Sequence, residues 1–208
     1  MIYNKNFIVF GPGGRCGSHW VAIMLKNFCS AMTYTVGPVT LLPTGWIYHT
    51  NGKDHLLEMP SEIRNSATLV YCVRKNYFDV AISLLVAEIS DEWYFYTSKT
   101  VDPFVVDTVR FRTLIRDLQY YHTIEIPENI LPLFNNLITI EFDNLISSAI
   151  PEKYMADQLG IDYDVDKNYY ESDSASNYKN TRIYKDLILN WDELVDIYKV
   201  FSADHHTQ

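Results

Sequence analysis

The stretch Phe7–Trp20, FIVFGPGGRCGSHW, decides the fold because it joins three local patterns without a break. The apolar run Phe7–Phe10 predicts a buried strand, the glycines after it predict a tight turn, and a helical pattern follows directly. A glycine-rich turn that leads into a helix presents backbone N–H groups and the positive end of the helix dipole. The segment therefore predicts a cradle for a phosphate or sulfate.

The spacing of this loop excludes two common nucleotide-binding loops. The triphosphate loop G-x-x-x-x-G-K-[ST] needs a lysine after its last glycine, but Gly17 is followed by Ser18 and His19. The dinucleotide loop G-x-G-x-x-G has Cys16 in place of its third glycine, and residues 32–46 lack the acidic residue that it requires. The loop therefore predicts an anion-binding site that belongs to neither of these two classes.

The residues Arg15–Trp20, RCGSHW, resemble the 5′-phosphosulfate loop [KR]-S-G-[ST]-[ST]-[WF] of sulfotransferases, which use 3′-phosphoadenosine-5′-phosphosulfate (PAPS). The resemblance implies that Arg15 contacts the transferring group and that Trp20 stacks on the adenine. His19 stands where the family has a hydroxyl, and either a neutral or a protonated ring is compatible with the pattern. The alternative is a glycine turn before a core helix, with Trp20 in the core. The implied nucleotide-binding residues in this segment are Gly14, Arg15, Cys16, Gly17, Ser18, His19 and Trp20.

A second segment, 50 residues further on, agrees with the first. The apolar run Thr68–Val73 predicts a buried strand, and the residues after it resemble the family's 3′-phosphate segment R-N-P-x-D-V-A-x-S. Arg74 lies nine residues before Ser83 instead of the usual eight, as if one residue were inserted. The resemblance implies that Arg74 and Ser83 bind the 3′-phosphate, which a guanidinium can pair bidentately. The alternative is a surface charge and an ordinary helix residue.

The third segment, residues 137–145, resembles the family's late strand with its R-Y-E-D-L ending, and residues 158–161 resemble a helix ending of that family. Phe142 replaces a tyrosine that contacts the adenine in some members. Strands alternate with helices along the chain, so we expect an α/β protein with a mostly parallel sheet flanked by helices. The resemblance implies a three-layer P-loop-like fold. Ligands of such sheets bind at the carboxyl ends of the strands.

The local patterns also place the individual elements. Strands are predicted at 7–10, 46–49, 69–73 and within 137–141, and helices at about 18–30, 56–64 and 78–89. A helical stripe runs through Phe104, Thr108, Phe111, Ile115 and Leu118. Residues 162–180 are polar and predict a mobile loop, and residues at about 184–200 predict a final amphipathic helix. With 208 residues and 48% hydrophobic content, a single domain over 1–208 is expected.

The family's cytosolic members use a histidine after a strand as general base, between the two nucleotide segments. His49 fits this place best, and the catalytic residues implied are Arg15 and His49. His55 lies nearer to Arg74 in the sequence, and Asp54 and Glu58 are carboxylate alternatives. A histidine that only satisfies a local hydrogen bond is the ordinary interpretation of any single one.

Charge and cysteine content limit the partners. The net charge is −9. Nucleic-acid-binding proteins usually carry a basic face, so no nucleic-acid partner is expected. No apolar run approaches about 18 residues, so neither a membrane anchor nor a membrane partner is expected. Cys16, Cys29 and Cys72 cannot all pair, which favours a reducing, cytoplasmic location. Cys16 beside Arg15 at a helix start is also an alternative nucleophile.

The function implied is transfer of a sulfuryl group from PAPS to a hydroxyl or amine acceptor, with adenosine 3′,5′-bisphosphate as product and no metal. The acceptor, whether a small molecule, glycan or protein, is not encoded in any motif, because residues 32–45 and 90–103 match none. The oligomeric state is likewise open. The alternative is a P-loop-like nucleotide-binding protein or kinase-like enzyme without sulfuryl transfer.

Overall fold

A computed structural model describes residues 6–28, 33–36, 45–91, 102–164 and 184–204. The strands are β1 Phe7–Phe10, β2 Thr33–Val36, β3 Trp46–Thr50, β4 Thr68–Val73 and β5 Asn136–Glu141. The α-helices are α1 Ser18–Phe28, α2 Lys53–Leu57, α3 Ser61–Ser66, α4 Tyr77–Ser90, α5 Thr108–Tyr120, α6 Ile126–Asn129, α7 Phe142–Ser147, α8 Pro151–Leu159 and α9 Trp191–Asp204. A π-helix spans Tyr121–Glu125, and short 3₁₀ helices span Leu131–Leu133 and Tyr184–Asp186.

The five strands form one parallel sheet in the order β2-β3-β1-β4-β5. In the central register, Ile8 of β1 lies between Tyr48 of β3 and Leu69 of β4. The expected α/β class and parallel sheet are therefore confirmed. The sequence patterns missed β2, whose four residues, TYTV, carry no distinctive boundary.

Both faces of the sheet are covered, as alternation along buried parallel strands requires. Val9 and Val70 face the side where α1 and α8 pack, with Leu25 and Met155 in the same apolar cluster. The alternate residues of these strands face a second cluster, which contains side chains of α2, α3 and α6; its members from β1, β3 and β4 are Ile8, Phe10, Tyr48, Leu69, Tyr71 and Val73. The three layers predicted for the fold are present.

The chain divides into two compact units. The first, within residues 1–75 and 121–178, contains the sheet and its covering helices. The second, within 76–120 and 179–208, contains α4, α5 and α9 around a core that includes Phe78, Phe111 and Leu194. The expectation of one domain over 1–208 stays a prediction.

Local chemistry explains where the helices differ from the sequence expectations. The predicted helix at 56–64 is two short helices, because Pro60 has an extended ψ of 140° and precedes α3 as its N-cap residue. Phe104 lies outside α5 and pairs with Ile188 in a short bridge. The final helix begins at Trp191 rather than near 184. Of the predicted mobile loop, residues 162–164 have no regular structure and 165–180 lie outside the described residues.

Candidate functional site

The glycine loop lies at the topological switch point of the sheet. From β1 the chain runs to β2 at one edge of the sheet, and from β4 it runs to β5 at the opposite edge. In open parallel sheets, the crevice outside such a pair of carboxyl ends is where ligands bind. The loop after β1 and Arg74 after β4 therefore start from neighbouring strand ends, as the two predicted phosphate segments require.

The loop backbone turns through left-handed conformations. Gly13, Gly14 and Arg15 have successive φ values of 71°, 77° and 58°, and Gly17 has 75°. A turn is closed by the Gly14 N–H, which donates to the Gly11 carbonyl at 3.2 Å. Arg15 is not a glycine, so its conformation costs about 1–2 kcal/mol, the kind of strain that concentrates at functional sites.

Two glycines are fixed by close packing. A Cβ at Gly11 would overlap the Cys16 thiol and the Ser18 hydroxyl, and a Cβ at Gly17 would overlap the ring of Phe142. At Gly14 the same atom would meet nothing within 4 Å. The loop therefore folds tightly on itself and against the start of α7, whereas it is open around Gly14.

Cys16 is buried within this loop. Burial raises the pKa of its thiol, and hydrogen bonds with Ser18 and the charge of Arg74 oppose that rise without cancelling it. The thiol is therefore protonated at neutral pH, which argues against the alternative of Cys16 as a nucleophile.

Ser18, the first residue of α1, is hydrogen-bonded to the buried His49 of β3 and to the exposed Asn51 that follows β3. Its hydroxyl lies 2.9 Å from His49 Nε2 and donates to Asn51 Oδ1 at 3.0 Å. A serine has one hydroxyl hydrogen, so with Asn51 as its acceptor, His49 Nε2 is the donor in the other bond. His49 is therefore a hydrogen-bond donor to Ser18, one of the residues predicted to hold the 5′-phosphate.

His49 is neutral at pH 7. Burial, together with the neighbouring His19, lowers its pKa to about 4, while Asn51 opposes the shift. The two imidazole rings lie 5.5 Å apart, and burial also lowers the pKa of His19. The protonated form of His19 is thus disfavoured. A neutral His49 is in the correct state for a general base, but a pKa near 4 gives it little drive to take a proton, and its catalytic role stays a prediction.

The other candidate bases lie just after β3. His55 on α2 is half-buried, and its Nδ1 lies 2.8 Å from Thr50 Oγ1. Asp54 is exposed on the same short helix and Glu58 is its C-cap residue. In the described part of the chain, the Ser18 hydroxyl bonds to His49 and Asn51 but to none of these three residues, which sets His49 apart from them.

Arg74 is largely buried between the loop and the start of α7. Its Nε donates to Asp143 Oδ1 at 3.2 Å, and its guanidinium carbon lies 5.6 Å from the centre of the Phe142 ring. The next residue, Lys75, extends to Glu141 with a 2.6 Å bond and is 68% exposed. Of the two cations after β4, Arg74 is the one that lies beside the loop.

Ser83 and Trp20 are both buried. Ser83 lies on α4 in the second unit, with its hydroxyl 3.3 Å from that of Tyr184. Trp20 belongs to the α1 side of the core and packs edge-to-face on Phe142 at 5.9 Å. Its indole N–H has no hydrogen-bond partner within the described part of the chain. The roles predicted for Ser83 on the 3′-phosphate and for Trp20 on the adenine stay predictions.

Sequence reasoning missed the contribution of Asn51, Phe142 and Asp143. Asn51 follows β3, and the other two follow β5. The signal available was position, because polar or aromatic residues directly after parallel strands all meet at one edge of the sheet. Their contacts with Ser18, Gly17 and Arg74 required the strand order, which no local pattern contains.

The comparisons with protein families and curated proteins found no match, so the site is interpreted from its geometry. No model of a known protein family matches the chain, and no curated protein matches it. Over the described ranges, no group of three or more His, Cys, Asp or Glu side chains is placed to hold a metal ion. No helix in those ranges combines the length and apolar character needed to cross a membrane.

Proposed function

We propose that this chain is a sulfotransferase that moves the sulfuryl group of PAPS to a hydroxyl or amine of a small molecule, glycan or protein. The observation that carries the proposal is the placement of Arg74 over the ring of Phe142, which in turn packs against Gly17 of the glycine loop. Two segments that resemble the two phosphate-binding segments of that family thus start from adjacent strand ends at the switch point.

The residues present fit a nucleotide with separate phosphates. The loop offers the N–H groups at the start of α1, which have no acceptor within the helix, and left-handed backbone with open space at Gly14. Arg74 offers a guanidinium with one edge held by Asp143. When bound, PAPS would supply an activated sulfuryl group on its 5′-phosphate. Arg15 is the residue proposed to offset charge on the transferring group and the leaving phosphate.

Local charge at this site matters because the chain as a whole is acidic. A net charge of −9 repels a polyanionic nucleotide at long range, but salt screens that repulsion beyond about 8 Å. Arg15 and Arg74 act within that distance on a bound phosphate. We therefore expect affinity to fall as salt rises, as for other sites that depend on arginine–phosphate pairs.

The alternative function, a P-loop-like nucleotide-binding protein or kinase-like enzyme, has one observation in its favour. His49, the proposed general base, has a pKa of about 4, and its Nε2 donates to Ser18. A protein that binds a nucleotide without sulfuryl transfer needs no such base. The two functions differ in the nucleotide that they bind.

Calorimetry with adenosine 3′,5′-bisphosphate and with ATP separates them. The sulfotransferase proposal requires binding of the bisphosphate, and strong binding of ATP with none of the bisphosphate would contradict it. Arg74→Ala should weaken bisphosphate binding on the order of 10–100-fold, from loss of a charged hydrogen-bonded pair of about 1.5–3 kcal/mol. Arg112→Ala, which removes an exposed arginine of α5 in the second unit, is the matched control and should leave the affinity unchanged.

A further inference from the structure

The turn from β5 into α7 contacts both halves of the anion site. Its residues Phe142 and Asp143 are 68 and 69 positions from Arg74 and more than 120 from the glycine loop, and they reach both because β5 lies next to β4. The turn contains no residue that would itself attract a phosphate. Its contacts nevertheless include the guanidinium of Arg74 and the backbone of the loop.

Both carboxylate oxygens of Asp143 accept hydrogen bonds from the residues that directly follow β4. Oδ1 accepts from Arg74 Nε at 3.2 Å, and Oδ2 accepts from the Lys75 backbone N–H at 2.9 Å. The second bond anchors the carboxylate to the main chain, so the first fixes the direction of the guanidinium. A partly exposed ion pair adds little to stability. Its larger effect is to restrict the rotamers of an arginine side chain that is otherwise flexible.

Phe142 fills the space between the two segments. One side of its ring meets Gly17, where a Cβ would overlap it, and Arg74 lies over the ring with 5.6 Å from guanidinium carbon to centroid. Trp20 packs edge-to-face on the same ring at 5.9 Å. A change in the position of this one side chain therefore reaches the loop, the helix start and Arg74 together.

We propose that the β5–α7 turn is the positioning element of the anion site, in which Asp143 orients Arg74 and Phe142 sets its distance from the glycine loop. This role requires neither residue to contact the ligand. The identity of the anion as a PAPS-type nucleotide rests on the proposed function, whereas the positioning itself concerns any phosphate or sulfate held by Arg74.

Removal of the Asp143 carboxylate changes anion affinity in opposite directions, depending on whether Asp143 positions Arg74 or acts only through its charge. A carboxylate beside an anion site repels the anion, so its removal alone would tighten binding. If Asp143 orients Arg74, its removal frees the guanidinium to adopt other rotamers, and binding weakens. We expect Asp143→Ala to weaken binding of adenosine 3′,5′-bisphosphate about tenfold.

A double-mutant cycle on the full chain tests whether Asp143 acts through Arg74. Bisphosphate affinity is measured by calorimetry for wild type, Asp143→Ala, Arg74→Ala and the double variant. Positioning predicts the tenfold loss with Arg74 present and less than a twofold change when Arg74 is already alanine. Equal losses in both backgrounds, or tighter binding by Asp143→Ala, would overturn the inference. Asp157→Ala removes an exposed carboxylate of α8 that pairs with Lys153, and it controls for the change in net charge.

Two further arms cover other outcomes. Asp143→Asn keeps the side-chain shape and one acceptor oxygen, and it replaces the alanine variant in the cycle if thermal unfolding shows that the alanine variant is not folded. Inorganic sulfate is titrated in parallel. A wild-type chain that binds sulfate but no bisphosphate contradicts the proposed function, and the sulfate cycle then decides the positioning role. A chain that binds neither anion overturns both.

Discussion

Acid should unfold this protein through two buried histidines. His49 is 5% exposed and bonded to Ser18, and His122, in the π-helix, is 7% exposed with Nδ1 2.9 Å from the Tyr71 hydroxyl. Burial is the main cause that lowers the pKa of each from 6.5 to about 4. In the unfolded chain both return to the ordinary value, so between about pH 4 and 6.5 the unfolded state binds more protons than the folded state.

The magnitude follows from the width of that window. The contribution of the two neutral histidines to the free energy of unfolding is complete above about pH 6.5. It falls as the pH drops and is lost in full below about pH 4. A shift of 2.5 units at 1.36 kcal/mol each gives roughly 3 kcal/mol per histidine, and the two together reach the lower part of the 5–15 kcal/mol by which domains of this kind are usually stable. Near pH 5 the two histidines contribute a slope of about 2.4 kcal/mol per pH unit.

Urea unfolding followed by circular dichroism at several pH values from 5 to 7.5 measures this slope. His122→Asn keeps an acceptor near the position of Nδ1, and His49→Gln keeps a polar group near that of Nε2, but neither side chain titrates. Each variant should lower the slope between pH 5 and 6.5 by roughly 1 kcal/mol per pH unit, which is half of the histidine contribution, because carboxylates contribute equally to all three proteins. Slopes in both variants equal to that of wild type would refute the reasoning.

Two further predictions concern the glycine loop. Gly17→Ala should lower the free energy of unfolding by roughly 2–5 kcal/mol, since it combines a left-handed φ with overlap against Phe142, whereas Gly14→Ala, with the same φ region but open space, should lose only about 1–2 kcal/mol. Equal losses in urea titrations would show that the Phe142 contact is not limiting. Arg15→Ala should reduce turnover of PAPS at least 100-fold while it changes bisphosphate affinity less than tenfold, because Arg15 is assigned to charge that develops during transfer. Retained turnover in a standard transfer assay would remove Arg15 from that role.

Much of the fold follows from local sequence, for a physical reason. The strands β1, β3 and β4 are short apolar runs between turn residues, and the glycine loop before α1 has a distinctive composition, so each could be predicted without knowledge of the rest. β2 escaped because four residues of moderate polarity carry too little signal. The prediction of one helix over 56–64 was wrong, although Pro60 within it carried the signal for the break between α2 and α3, since the proline ring disfavours a continuous helix there.

The sequence by itself determined the strand, loop and helix from Phe7 to Trp20 and the residue types suited to bind an anion. Those depend on backbone preferences and side-chain chemistry within a few residues. Only the tertiary structure decided which of these residues meet. The placement of β4 between β1 and β5 brings Asp143 to Arg74 and Phe142 to Gly17, and burial beside Ser18 makes His49 a weak base. Proximity between distant segments and the polarity around a buried ring are properties of the packed chain, and no local pattern encodes them.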